Sequence, residues 1–140
     1  MNLADVNVLV HALRGDSANH SRCRTWLERE IASEGRFGVA PQVLAGVVRV
    51  VTHPRIYATP TPPSLALGFC DAILAAPGAV RLEPGPQHWE TFRRLVSETR
   101  TQGNLVPDAW FAALAIEHGC TWVTLDRDFS IFRGLRLAAP

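Results

Sequence analysis

The chain contains no lysine; its 14 basic residues are all arginine. Base composition of the coding sequence is the simplest origin of that bias, yet the absence excludes chemistry. Walker-type NTPases, receiver domains and haloacid-dehalogenase-type phosphatases each need a lysine at the phosphate. Charge of either sign is also short of excess. The formal net charge is +1, so no global field argues for or against a polyanionic partner. Cysteine is scarce: Cys23, Cys70 and Cys120 are odd in number and lack C-x-x-C spacing, which reads as reduced thiols in a cytosolic protein. His20 and Cys23 have the spacing of half a zinc site, but no second pair accompanies them. The apolar runs are too short and interrupted to span a bilayer. The start of the chain lacks the basic and apolar regions of a signal peptide. A cytoplasmic location is therefore expected.

What is present is enough apolar material for one domain over residues 1–140, 47% of them hydrophobic. Met1 to Asp5 reads as a short strand handing over to a helix, Val6 to Leu13. A second helix, Ser17 to Ile31, carries Trp26, Leu27 and Ile31 on one stripe. Gly35 to Ala40 reads as a strand, and Pro41 opens a helix from Gln42 to Thr52. That helix is apolar nearly all round and is expected to be buried, with Arg49 its only charge. His53 to Pro63 is proline-rich and irregular. Ser64 to Ala75 reads as a helix with Ser64 as N-cap, Ala79 to Leu82 as a strand and Gln87 to Arg100 as a helix. The stretch NLVPDAWFAALAIEHGCTWVTLDRDF, from Asn104 to Phe129, is the most ordered in pattern. It is an alanine-rich helix with Pro107 in its first turn, a stop at Gly119, a strand from Thr121 to Thr124, and an acidic loop. Leu135 to Leu137 is a last short strand. Strands alternating with helices predict an α/β fold, an open parallel sheet covered on both faces.

In a parallel sheet the carboxyl ends of the strands share one edge, where ligands bind. Asp5 follows the first strand. Asp126 and Asp128 follow the strand after Cys120, and Asp108 starts the helix that leads into it. Singly, each has a local reading as a cap or a first-turn acid. Jointly, the topology gathers them around one point. Two bare carboxylates about 4 Å apart repel by roughly 4 kcal/mol at an effective dielectric of about 20, so such a cluster calls for protons or a hard cation. An oxygen-only donor set favours Mg²⁺, with Mn²⁺ as a substitute, over Zn²⁺.

The segments LADVNVLVHAL, VVRVVTHPRIY and GNLVPDAWFAALAIEHGCTWVTLDRDF, taken in order, resemble the PIN-domain ribonucleases, and more closely the VapC toxins of bacterial toxin–antitoxin modules. The resemblance implies a three-layer α/β/α PIN-like domain around a central parallel sheet. It also implies Mg²⁺-dependent endonucleolytic hydrolysis of RNA, inhibition by a VapB-type antitoxin, a homodimer, and a bacterial cytoplasmic setting. Position by position, it makes Asp5 and Asp108 metal ligands, Asp126 a further member of the cluster, and Asp128 an assisting neighbour. One position departs from the pattern. Gly46 stands where such nucleases commonly carry a glutamate, three residues before Arg49. That leaves a second reading open, a module that binds RNA or antitoxin with weak or no catalysis.

Supporting roles are less constrained. Asn7 and Thr124 are candidates to orient Asp5 and Asp126, or they bond only their chain neighbours. Arg49 either meets RNA phosphate, with His53 and Arg55, or pairs with an internal carboxylate. Trp110 either stacks a base or packs in the core.

Overall fold

The computed structural model describes residues 1–140. Eleven elements follow one another: β1 (Asn2–Ala4), α1 (Val6–Leu13), α2 (His20–Ala32), β2 (Phe37–Val39), α3 (Pro41–Val51), α4 (Pro63–Leu74), β3 (Ala79–Arg81), α5 (His88–Thr99), α6 (Val106–Glu117), β4 (Thr121–Val123) and β5 (Arg136–Ala138). Short 3-10 turns lie at Gly103–Leu105 and Arg127–Ile131. The five strands form one parallel sheet in the order β3-β2-β1-β4-β5, flanked by the six helices. The expected α/β/α arrangement is the one observed.

Strands of only three residues pair because the inner ones are buried on both faces, as parallel strands require. β2 is buried throughout and β1 and β4 almost so, while the edge strand β5 is exposed along its length. The β1–β4 register sets Ala4 beside Val123, so Asp5 and Thr124 leave the sheet side by side. Chain order reverses between β1 and β4, the crevice where open α/β sheets take ligands.

Most helix signals hold. Pro107 sits in the first turn of α6. Gly119 takes the left-handed conformation at φ 62°, donating its N–H to the Ile116 carbonyl while Cys120 donates to Ala115. Those two bonds are the Schellman stop. Other boundaries move. α2 begins at His20 rather than Ser17, because Ser17 closes a turn instead, its Oγ accepting the Asn19 N–H at 3.1 Å. α4 begins at Pro63 with Pro62 as its N-cap, so Ser64 lies inside the first turn and makes no cap bond. The preset φ of Pro63 opens the helix one residue early. β5 is shifted by one residue, to Arg136–Ala138.

The α3 helix is not buried all round. Val43, Leu44, Val47 and Val51 are buried, but Gln42, Ala45 and Arg49 form an exposed stripe at helical spacing. Gly46 lies on the inner side. A Cβ built there would meet Val6 Cγ2 at 2.8 Å, so a side chain at position 46 would require Val6 to shift. On the other face, fully buried Trp122 is stacked on Phe111 of α6 at 5.6 Å and tilted on Phe129 of the second 3-10 turn at 5.4 Å. This aromatic layer ties α6 and the acidic turn to the same strand.

The Gly46 contact predicts a sign reversal. Gly46→Ala is expected to lower the unfolding free energy by roughly 1 kcal/mol, as about 1–3 kcal/mol of overpacking outweighs a helix-propensity gain of about 1 kcal/mol. In a Val6→Ala background the same change should stabilise. Urea denaturation of the four proteins measures this, and equal losses in both backgrounds would discount the contact.

Candidate active site

Asp5 is the first residue after β1, and its backbone N–H continues the ladder to the Val123 carbonyl at 2.9 Å. Its side chain is buried, with 7% of its surface exposed. Oδ2 accepts the Thr124 hydroxyl at 2.6 Å and the Asn7 amide at 2.7 Å. The Thr124 hydroxyl also accepts from Asn7 Nδ2 at 3.2 Å and from the Asp126 N–H at 2.9 Å. Asn7 Oδ1 accepts the Leu125 N–H at 3.3 Å. Asn7 and Thr124 thus reach across the sheet rather than bonding only their neighbours, and both orient Asp5.

Asp126 caps the second 3-10 turn, its Oδ1 accepting the Asp128 N–H at 2.8 Å. Asp108 lies in the first turn of α6, half-buried. Burial pushes the Asp5 carboxyl up from 3.8 to about 6, against the lowering effect of the Thr124 hydrogen bond, and the charges of Asp108 and Asp126 raise it further. Burial also raises Asp108, followed by the charges of Asp126 and Asp128. The four aspartates therefore feel one another as a cluster. No three acidic, histidine or cysteine side chains converge tightly enough to ligate one ion directly. The donor set is all oxygen, the chemistry that a hard cation takes.

The other candidates lie elsewhere. Arg49 is exposed on the outer stripe of α3 and pairs with no carboxylate, internal or otherwise. His53 Nδ1 accepts the Arg55 N–H at 3.0 Å and shapes a local turn. Trp110 packs edge-on against His88 at 4.1 Å and Phe92 at 5.4 Å, so it serves the α5–α6 contact rather than an open surface. Asp71 and Glu83 are exposed, away from the cluster. Sequence reasoning overlooked a cleft of about 320 Å³ beside Asp5, walled by Val10, His11, Val50 and Tyr57. One signal was available: His11 stands four residues after Asn7, on the same side of α1.

Comparison with known proteins follows the same geometry. The PIN-domain family model matches residues 3–135. Ribonuclease VapC43 of Mycobacterium tuberculosis is 46% identical over 136 residues, covering 97% of this chain and 92% of that protein. Ribonuclease VapC25 of the same organism is 41% identical over 140 residues, covering 100% and 99%. Among solved structures, VapBC2 of Rickettsia felis, bound to a promoter DNA fragment, aligns with a TM-score of 0.70 at 17% identity, over 99% of this chain and 97% of that one. The sarcin-ricin-loop-cleaving toxin VapC20 of Mycobacterium tuberculosis aligns at 0.64 and 14% identity, over 97% and 99%. At those identities the structural likeness concerns the fold.

The buried Asp5 carboxyl should be visible in stability. Its folded value of about 6 lies above the ordinary 3.8, so the folded state holds the proton more tightly. The resulting stabilisation is complete below pH about 3.8 and is lost as the pH rises through about 6. Without divalent ions, Asp5→Asn is expected to be more stable than wild type at pH 7.5, by about 3 kcal/mol at most. The difference should vanish below pH 4. Denaturant midpoints across that range measure it; a destabilised variant at pH 7.5 would contradict the assignment.

Proposed function

This chain belongs to the PIN-domain family and, within it, to the VapC ribonucleases, and on that premise we propose that it is the toxin of a type II toxin–antitoxin module. Its activity on this reading is Mg²⁺-dependent endonucleolytic hydrolysis of RNA, held in check by a cognate VapB-type antitoxin. The observation that supports the reading most is the carboxylate cluster at the β1–β4 crevice, with Asp5 buried and charge-coupled to Asp108 and Asp126.

Asp5 and Asp108 would hold the divalent ion, here Mg²⁺ or Mn²⁺. When bound, it supplies Lewis acidity and positive charge at the phosphoryl oxygens. Thr124 and Asn7 fix the orientation of the Asp5 carboxylate through Oδ2. Asp126, with Oδ1 tied to the Asp128 amide, presents Oδ2 to a water aligned on the phosphorus. Attack of that water forms a new P–O bond and breaks the one to the leaving ribose oxygen; the water's proton passes to a nearby carboxylate, and the leaving oxygen takes a proton from solvent. Asp128, exposed beside it, adds negative charge next to Asp108.

Inhibition follows if the antitoxin presents a cation, such as an arginine side chain, to the same carboxylates. Dimerisation through α4 is part of the proposal, since Leu65, Leu67 and Leu74 stand 53%, 52% and 39% exposed there. A second reading has one observation behind it. Gly46 packs against Val6 and α3 carries no acidic residue, so α3 adds no carboxylate to the cluster, as a binding module with weak catalysis would also show.

Cleavage of total bacterial RNA with and without EDTA separates the two. Discrete Mg²⁺-dependent fragments are expected from wild type, with losses of at least about 100-fold in Asp5→Asn and Asp108→Asn. Asn7→Ala and Thr124→Val should lose roughly 10- to 100-fold. Mg²⁺ should also stabilise the wild type by about 2.7 kcal/mol at a hundred times its Kd, and leave Asp5→Asn unmoved. An intact fold with neither cleavage nor a Mg²⁺ shift would favour the binding module.

A further inference from the structure

Two clefts meet at the aspartate cluster, and they differ in chemistry. One, of about 340 Å³, runs past Thr124 and Asp126 and is flanked by Arg22 and Arg127. The other, of about 320 Å³, opens from Asp5 and Asn7 and is walled by Val10, Val50, His11 and Tyr57. Its walls carry no arginine and, apart from Asp5 at its mouth, no acid. Polyanionic backbone has no partner there, whereas a flat, weakly polar ring does.

Tyr57, the only tyrosine in the chain, is held rather than loose. The Arg14 guanidinium lies 3.9 Å from its ring centroid. Arg14 is itself fixed by Asp16 at 3.0 and 2.6 Å, by the Thr59 carbonyl at 2.8 Å and by the Thr61 hydroxyl at 3.3 Å. One face of the tyrosine ring is thus occupied, and the ring is set in place before any ligand arrives. His11 is likewise fixed, its Nδ1 bonded to Ser17 Oγ, so that Nε2 remains as a polar edge. A rigid aromatic ring, three valines (Val6, Val10 and Val50) and one polar edge, opening onto Asp5, form a slot for stacking and reading one ring.

We propose that the Tyr57–His11 cleft is a subsite for a single unpaired nucleobase next to the scissile phosphate, while the backbone runs along the Arg22–Arg127 side. The subsite rests on the ribonuclease reading, and it makes Tyr57 and His11 determinants of where an RNA is cut. It also requires the target to be unpaired at that nucleotide, since a base in the slot cannot remain in a duplex.

The test couples protein to substrate. A single-stranded RNA oligonucleotide is prepared intact and with an abasic nucleotide at each position in turn. Binding is measured by fluorescence anisotropy in EDTA, and kcat/KM in Mg²⁺, for wild type, Tyr57→Phe and Tyr57→Leu. One abasic position is expected to weaken wild type and Tyr57→Phe by roughly 5- to 100-fold, the range for base–aromatic stacking. It should scarcely affect Tyr57→Leu. Val50→Trp, which fills the cleft while leaving the Arg14 and Tyr57 side chains themselves unchanged, should lose the same discrimination and serves if Tyr57→Leu does not fold. Equal abasic penalties in wild type and both cleft variants would overturn the subsite. So would variants that bind RNA normally but release an antitoxin peptide, which would assign the cleft to the antitoxin. Wild type that binds with the base-dependent difference but never cuts would instead overturn the ribonuclease reading and leave the subsite standing.

Discussion

The hydrogen bond from the Thr124 hydroxyl to Asp5 joins the ends of two neighbouring strands, and the rest of the site depends on it. A hydroxyl has one donor and two acceptor positions. Here all three are used: the proton goes to Asp5, and the oxygen accepts from Asn7 and from the Asp126 amide. One side chain therefore fixes the angle of the first carboxylate, the position of the residue that also braces it, and the start of the loop carrying the next carboxylate. The bond also acts against burial, which would otherwise neutralise Asp5 still more strongly. The result is a carboxylate poised between charged and neutral, held rigid at a sheet edge.

Packing supplies the rest of that rigidity from two sides. Trp122 neighbours Val123, the strand residue whose carbonyl accepts the Asp5 amide, and its ring lies between Phe111 and Phe129. Since Phe111 stands three residues after Asp108 and Phe129 one after Asp128, the aromatic layer sets the distance between the helix acid and the loop acids. The indole Nε1 has no hydrogen-bond partner, so shape rather than polarity holds that layer together. On the opposite face, the approach of Val6 to Gly46 brings α3 down upon α1. The same contact, which a side chain at position 46 would crowd, holds α3 where Val50 walls the cleft beside Asp5.

The order of elements and the gathering of four aspartates were legible in the sequence because each rests on local rules. Short apolar runs, Pro107 opening a helix and Gly119 closing it are statements about backbone geometry, and topology turns them into a shared edge. Other features were not legible, because they depend on which neighbour happens to lie opposite. The apolar look of α3 suggested full burial, yet Ala45 and Gln42 are small or polar enough to face solvent, and they carry Arg49 out with them. Ser64 has the chemistry of a cap, but the fixed dihedral of Pro63 starts the helix before it. The cleft at Tyr57 was invisible, since its walls come from α1, α3 and the proline-rich connection, none of which betrays the others in sequence.

The absence of lysine takes on a structural meaning at Arg14. A lysine is a single point charge; a guanidinium offers a planar fork with a face that stacks. Arg14 uses both properties at once, bridging Asp16 through two nitrogens, reaching the Thr59 carbonyl and lying over the Tyr57 ring. That contact fastens the irregular connection after α3 to the end of α1, a connection with little regular hydrogen bonding of its own. With a net charge of +1, the protein has no long-range pull on a polyanion, and its own carboxylates repel phosphate near the site. On the proposed ribonuclease reading, recognition of RNA would be assembled locally, from a few arginines on one side and shape on the other. A chain built this way selects by what can enter the site rather than by attraction from afar, and rigid groups such as the Arg14–Tyr57 pair lend that selection its sharpness.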